Sequence, residues 1–327
     1  MGNTQSLNEE EAKTPSLTES HNSARNVFEN IGIGIYNEEK KNVNKYASQL
    51  RGNLSRATFC DVFCDFIGIR NYPYTDPCYL DHRFYTNIKV NSIEGRNPCN
   101  GREKKRFGEN AEAYCNSDKI RGNENNSNAG ACAPPRRRHM CDKNLEFLDN
   151  NNTNTIHDLL GNVLVTAKYE GDIIVSNHPN TKTSDVCTAL ARSFADIGDI
   201  VRGRDMFKRT DKDYVENGLR EVFNNIYGQL ENNAKAYYSD KDKSGNYYKL
   251  REAWWNANRD QVWRAITCKA PENIHYFRKG SDGSNLFSNN GPCGRNERNV
   301  PTYLDYVPQF LRWFDEWAEE FCRKKKN

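Results

Sequence analysis

AWWNANRDQVWRAITC, residues 253 to 268, sets Trp255, Arg259, Val262 and Ile266 on one side of a helix, at the three- and four-residue spacing of a 3.6-residue turn. With Trp254 and Trp263 it predicts a helix whose indoles fill a bundle core. Working outward, Ile156, Leu159, Leu160, Val163, Leu164 and Ala167 share one helical face, as do Val186, Leu190, Phe194, Ile197 and Val201. A third set is Val215, Leu219, Val222, Phe223, Ile226 and Leu230. Near the C-terminus Phe310, Leu311, Phe314, Trp317, Ala318 and Phe321 open a strongly amphipathic helix; with Trp313, its large side chains are expected to fill a second core. The given sequence stops inside this helical pattern, which reads as a truncation ahead of a partner helix. Upstream, residues 1 to about 20 read as a disordered lead-in. Val27, Phe28, Ile31, Ile35, Val43 and Tyr46 then predict one or two amphipathic helices over Ala24 to Leu50. Neither an internal repeat nor a useful alternating strand pattern occurs, so the reading is all-α.

Composition agrees. Of 327 residues 36% are apolar and mean hydropathy is −0.95, yet 5 Trp, 17 Tyr and 15 Phe supply large surfaces to bury. The core is expected to be aromatic more than aliphatic. The 47 Lys and Arg against 44 Asp and Glu leave a formal charge of +3, too balanced for a nucleic-acid binder that relies on bulk charge. No window approaches the ~18 consecutive apolar residues of a membrane span.

Eleven cysteines, at 60, 64, 78, 99, 115, 132, 141, 187, 268, 293 and 322, form no close C-x-x-C pair, which argues against a zinc knuckle or a redox motif. Most sit in Gly-, Pro- and Asn-rich loops, where a crosslink restricts the unfolded chain and substitutes for a missing apolar core. Cys60, Cys64, Cys78, Cys99, Cys115, Cys132, Cys141, Cys187, Cys268 and Cys293 are therefore disulfide candidates, with their pairing open, and Cys322 is the odd thiol. The N-terminus, MGNTQSLNEEEAKTPSLTES, lacks a signal-peptide apolar region. Gly2 and Ser6 fit a myristoylation pattern, but no basic cluster or nearby Cys supplies a second anchor, and the match is read as chance.

Motifs for chemistry fail one by one. The six histidines contain no local metal pair, and neither a nucleophile elbow nor a phosphate loop is present. Gly32 and Gly34 lack the third glycine and the preceding strand of a dinucleotide site. Asp240, Asp242, Ser244 and Gly245 imitate an EF-hand loop until position twelve, where Arg251 replaces the bidentate carboxylate that Ca²⁺ needs, so the segment reads as an interhelical loop. Asn53, Asn125 and Asn151 match the N-glycosylation pattern. Two basic clusters remain. Cys99 to Lys143 holds ten Lys and Arg against six acids, including Arg102, Lys104, Lys105, Arg106, Arg136, Arg137 and Arg138; Arg202 to Lys212 holds five against two, including Arg202, Arg204, Lys208 and Arg209. Arginine forks suit sulfate, carboxylate or phosphate, so these residues are the candidate ligand contacts. The competing reading is ion pairing with local acids, with Arg138 between Cys132 and Cys141 as much structural as binding.

CAPPRRRHMC (132–141), ARSFADIGDIVRGRD (191–205), AWWNANRDQVWRAITC (253–268) and VPQFLRWFDEWAEEFCRKKK (307–326) closely resemble Duffy-binding-like domains. The match is to the N-terminal segment and first, alpha-class domain of the malaria parasite's variant erythrocyte membrane protein 1 family, and it covers essentially the whole chain. The resemblance implies an N-terminal segment over 1–48, a Cys-rich subdomain over 49–143, a helical bundle over 144–300 and the start of a third subdomain over 301–327. It also implies a non-enzymatic, monomeric adhesion domain without cofactor, on the outer face of the infected red cell and held by a distant span. Export there without a cleaved signal would account for the missing leader. Its implied partners are receptors and glycans of other cells: heparan-sulfate-like chains, blood-group sugars and complement receptor, with rosetting and antigenic variation. The alternative is a structural, antigenic head whose neighbours do the binding.

Overall fold

The computed structural model describes residues 24–59, 76–88, 96–102, 105–108, 111–123, 130–241, 243–276 and 291–326. Its α-helices are α1 (Ala24–Val43), α2 (Pro135–Arg138), α3 (Lys143–Glu146), α4 (Ile156–Asn177), α5 (Asp185–Arg202), α6 (Tyr214–Gln229), α7 (Asn232–Tyr237), α8 (Tyr248–Ile266) and α9 (Gln309–Lys326). Three isolated antiparallel bridges are the only β-pairing among the described residues. The all-α expectation is met, and residues 51–59, 76–88, 96–102, 105–108 and 111–123 supply short turns in place of long helices.

The quoted stretch forms most of α8, which lies at the centre against α4 and α5. Trp254, Trp255 and Trp263 are buried. Phe194 of α5 meets Trp255 at 5.1 Å and Trp263 edge-on at 5.3 Å, while Phe223 of α6 meets Trp254 edge-on at 6.2 Å. Burying each such ring contributes at least ~1.5–3 kcal/mol, so the aromatic core expected from composition carries the bundle. Helix α4 starts where it does because Thr155 and Asp158 form a capping box; Asp158 also accepts from the Thr58 amide at 2.7 Å and fastens the irregular segment to the bundle. Helix α5 ends at Gly203, whose φ of +74° few side chains tolerate and where a Cβ would lie 2.7 Å from the Arg251 guanidinium.

Between these elements runs a chain of buried ion pairs. Asp142, ahead of α3, accepts from Arg209 at 2.9 Å, Arg137 at 3.2 Å and Arg102 at 3.4 Å. Arg137 also donates to Asp205. Asp205 accepts from Gln309 at 2.8 Å, and Gln309 donates at 3.1 Å to Asp196. Asp196 of α5 pairs with Arg136 at 2.8 Å and Arg312 at 2.7 Å. Arg136 also donates to Ser193 at 2.8 Å, which donates at 2.8 Å to Glu170 of α4; Glu170 in turn pairs with Arg106 at 2.5 Å. The network thus joins the irregular segments, α2, α4, α5 and α9. Burial opposes ionisation of Asp142, but Arg209, Arg102 and Arg137 outweigh it and hold the carboxyl well below the usual carboxylate range. The same competition, won by Arg136, Arg312 and Arg137, holds Asp196 at about 2.

Among the described residues four disulfides complete the frame: Cys78–Cys268, Cys99–Cys141, Cys115–Cys132 and Cys187–Cys293. The first ties the turn at residues 77–79 to the end of α8, and the last ties α5 to the loop before α9. Cys322 is free and exposed; Cys60 and Cys64 lie outside the described residues.

Two expected faces are corrected. Over residues 24–50 Phe28, Ile35, Val43 and Tyr46 pack on the core as their spacing predicts, but Val27 and Ile31 are exposed and the buried side of α1 also carries Glu29, Gly32 and Ile33. The Glu29 carboxylate accepts from Tyr276 Oη at 2.6 Å, Thr302 Oγ1 at 2.7 Å and the Tyr303 amide at 2.7 Å, so hydrogen bonding acts beside apolar packing to set the face. In α9 only Trp313 of the aromatics is fully buried; Phe310, Phe314, Trp317 and Phe321 face outward, because Gln309, Arg312 and Glu316 occupy the inward side to meet the ion network.

A Cβ at Gly32 would lie 2.2 Å from the Tyr303 carbonyl oxygen. Gly32→Ala is expected to lift α1 off the 302–306 segment, read as faster hydrogen exchange and proteolysis across 24–43 with protection in α4, α5 and α8 retained. Asp142→Asn removes one buried partner from three guanidiniums and is expected to cost ~3–5 kcal/mol at neutral pH by denaturant titration. Because the folded pKa of Asp142 lies below its unfolded value, its contribution is full above about pH 4 and is lost as pH falls further. The variant should accordingly show a shallower acid limb than the parent.

Candidate ligand groove

The two basic clusters of the sequence meet in space along a short backbone ladder. Ile120 bridges Phe207, with the Arg121 amide donating to Met206 O at 2.8 Å and the Lys208 amide to Lys119 O at 2.7 Å. A second bridge, Tyr114 with Ala133, exchanges hydrogen bonds of 2.9 and 2.8 Å beside the Cys115–Cys132 disulfide. Together they shape an open groove of about 240 Å³ lined by Tyr114, Lys119, Arg138, His139, Phe207 and Arg209. The Arg138 guanidinium lies 5.2 Å from the Tyr114 ring centre, and that of Arg209 lies 5.3 Å from the Phe207 ring centre.

The cations of this groove differ in how firmly they are held. Arg209 forms its floor, donating to Arg138 O at 2.8 Å and to Asp142; burial, then the charges of Arg102 and Arg137, draw its pKa down although Asp142 opposes them. Lys119 and Arg138 reach solvent and pair with Asp211 at 2.7 Å and Glu112 at 3.7 Å, two acids that are themselves more than four-fifths exposed. Exposed pairs of this kind are worth ~0–1 kcal/mol, so an incoming carboxylate or sulfate can replace either acid. Among the described residues no group of His, Cys, Asp and Glu is arranged to hold a metal ion.

Most other predicted contacts are placed elsewhere. Arg102, Arg106, Arg136, Arg137 and Arg202 are buried. Arg102 pairs with Asp142 and Glu146, and Arg202 with Asp199 at 3.1 Å and Glu252 at 3.5 Å; the partners of the other three are given above. Each guanidinium lies over carboxylates inside the fold, which corrects its assignment to a ligand surface. Arg204 is exposed but pairs with Glu252 at 3.1 Å; Lys105 is exposed; Lys208 is half-buried; Lys104 lies outside the described residues. Tyr114, Lys119, His139 and Phe207 were not singled out from sequence. The signal available for them was the spacing of 17 between Cys115 and Cys132, short enough to bring Tyr114 and Lys119 beside Arg138.

Comparison with known proteins gives these features a context. The family model of the Duffy binding domain matches residues 130–312, and that of the N-terminal segments of PfEMP1 matches residues 23–58. The solved N-terminal NTS-DBL1-alpha and CIDR-gamma double domain of the PfEMP1 protein of the Plasmodium falciparum varO strain is 64% identical, with a TM-score of 0.86 over 93% of this chain and 44% of that one. A PfEMP1 DBLβ domain solved bound to ICAM-1 is 28% identical, with a TM-score of 0.69 over 91% of this chain and 67% of that one. The Duffy receptor beta form of Plasmodium knowlesi is 26% identical over 219 residues, 63% of this chain but only 16% of that protein, so the chain spans about a sixth of this curated relative. With its tryptophan-centred bundle, its four disulfides and a family match over more than half its length, the chain belongs to the Duffy binding domain family, preceded by an N-terminal segment of the PfEMP1 type.

Proposed function

We propose that this chain is a receptor-binding adhesion domain, non-enzymatic, displayed on the outer face of an infected red cell, and that it holds an anionic glycan or an acidic protein receptor in the groove between Tyr114, Lys119, Arg138 and Arg209. The observation that carries this reading is the pair of solvent-reaching cations, Lys119 and Arg138, the second set over the Tyr114 ring, both paired with exposed, replaceable acids. A relative of the same fold, the DBLβ domain, is bound to ICAM-1, which supports receptor binding as the use of the scaffold. Rosetting through red-cell glycans or complement receptor belongs to the same proposal.

A second reading, a structural and antigenic head without its own ligand, draws on the burial of five predicted contact arginines. Charge reversal separates the two. Lys119→Glu with Arg138→Glu should leave the fold intact, because both side chains are partly exposed and their ion partners, Asp211 and Glu112, are exposed acids. In the folded domain the pair is expected to lower heparin-column retention and red-cell binding by about fivefold per charge at low salt, converging with the parent as salt rises. Unchanged retention at low salt would leave the structural head as the better account. Reversal at Arg102 or Arg106 would test folding alone.

A further inference from the structure

Three Asn-Gly steps occur in the sequence, at 100–101, 217–218 and 290–291. The dipeptide has a chemistry of its own, because glycine has no Cβ to keep the preceding carboxamide away from its backbone nitrogen. The structure sets two of these steps in opposite surroundings; Asn290 lies outside the described residues. Asn217 and Gly218 lie inside α6, where the Gly218 amide belongs to the helical ladder. The Asn217 carboxamide is turned back to donate to Lys212 O at 2.8 Å, and a Cβ on Gly218 would lie 3.9 Å from Leu145 O and Leu148 Cβ. Both groups that would have to react are thus occupied.

Asn100 and Gly101 instead form the middle of a turn, closed by the Arg102 amide donating to Cys99 O at 2.8 Å. Gly101 is exposed with φ at +73°, and no atom beyond its chain neighbours lies within 4 Å of the place a Cβ would take. The turn is pinned on both flanks, by the Cys99–Cys141 disulfide and by the pairing of Arg102 with Asp142 and Glu146. Gly101 also lines the groove, together with Lys119, Arg138 and Arg209. Their positive charges favour negative charge that develops at this edge, first on a backbone nitrogen losing its proton and then on the oxygen of a tetrahedral intermediate.

We propose that Asn100 is a site of spontaneous deamidation, and that its conversion discharges the groove. The Gly101 nitrogen loses its proton to hydroxide and bonds to Asn100 Cγ; the Cγ–Nδ2 bond breaks and ammonia leaves, taking a proton back from water, so that a cyclic imide closes. Water then opens the ring at one of its two carbonyls, giving aspartate or, with the main chain rerouted through Cγ, isoaspartate. One water is consumed and one ammonia released, with no change of oxidation state. Either product sets a carboxylate at the groove edge, where it competes with a ligand for Lys119 and Arg138. Isoaspartate also adds a methylene to a turn whose ends are fixed. The modification stands by itself, whereas its effect on a ligand rests on the adhesion reading of the groove.

Peptide mapping by mass spectrometry, on the folded and unaltered chain aged at mildly alkaline pH, tests the site with Asn217 as its internal reference. Asn100 is expected to convert about tenfold faster than Asn217, the factor that follows when a helical hydrogen bond must first be broken. Lys119→Glu with Arg138→Glu should slow conversion at Asn100 by about threefold and leave Asn217 unchanged. Asn100→Asp, which supplies the carboxylate without ageing, should lower heparin-column retention by about threefold at low salt. Asn100→Gln, whose longer side chain closes the larger ring far more slowly, should age without that loss. Conversion no faster at Asn100 than at Asn217 overturns the proposal, and so does full retention in Asn100→Asp where Lys119→Glu with Arg138→Glu lowers it. Retention that neither change moves, with Asn100 converting ahead of Asn217, would uphold the modification site and strike the groove as the place of the ligand.

Discussion

Asp142 and Asp196 are the points on which the fold turns. Each is a carboxylate without exposed surface that gathers two or three guanidiniums from segments far apart in sequence. Replacing such a network by apolar groups could leave stability unchanged, since desolvation cancels much of the Coulomb gain. Its value lies in direction. A tryptophan core accepts a neighbouring helix over a range of rotations, whereas a guanidinium fork accepts a carboxylate in few, so the irregular half, α2 and α9 can dock on α5 in only one register.

Helix α5 illustrates how much the sequence discloses and where it misleads. The apolar face through Val186, Leu190, Phe194, Ile197 and Val201 forms as its spacing predicts, and the indoles of α8 lie where the quoted stretch places them. Yet Arg192, Asp196, Asp199 and Arg202 are buried as well. Opposite charges at three- and four-residue steps on a helix already covered by apolar residues mark ions enclosed on the remaining faces; the same pattern on an isolated helix would be a solvated surface. Net charge per segment cannot separate these cases, because partners such as Asp142 with Arg209 lie 67 residues apart. The basic clusters were therefore visible while their inward direction was not. The groove was legible in half: Arg138 and Arg209 belong to the clusters, but the ladder joining them to Lys119 and Phe207 is a long-range pairing without periodic signal.

Glu29 shows a similar limit. A lone acid on an amphipathic helix reads as solvent-facing, yet it anchors α1 by collecting two hydroxyls and an amide from residues 276 to 303. Arg259 adds to the same region: it pairs with Asp305 at 2.7 Å and lies 5.2–5.6 Å from the ring centres of Tyr36, Phe194, Tyr303 and Tyr306. The N-terminal segment is thus fastened to the bundle by polar contacts under an aromatic cover.

Shared ownership of Asp142 has an evolutionary corollary. Its two oxygens answer to Arg102, Arg137 and Arg209 at once, so losing any one arginine leaves a carboxylate still satisfied by the other two, while losing the aspartate takes a partner from all three together and leaves Arg102 and Arg209 to share Glu146 and Arg137 to Asp205. Drift can erode the arginines singly, and the acid can change only after several of them have gone. Epistasis of that one-way kind would hold the interior still across divergent lineages while the exterior is rewritten.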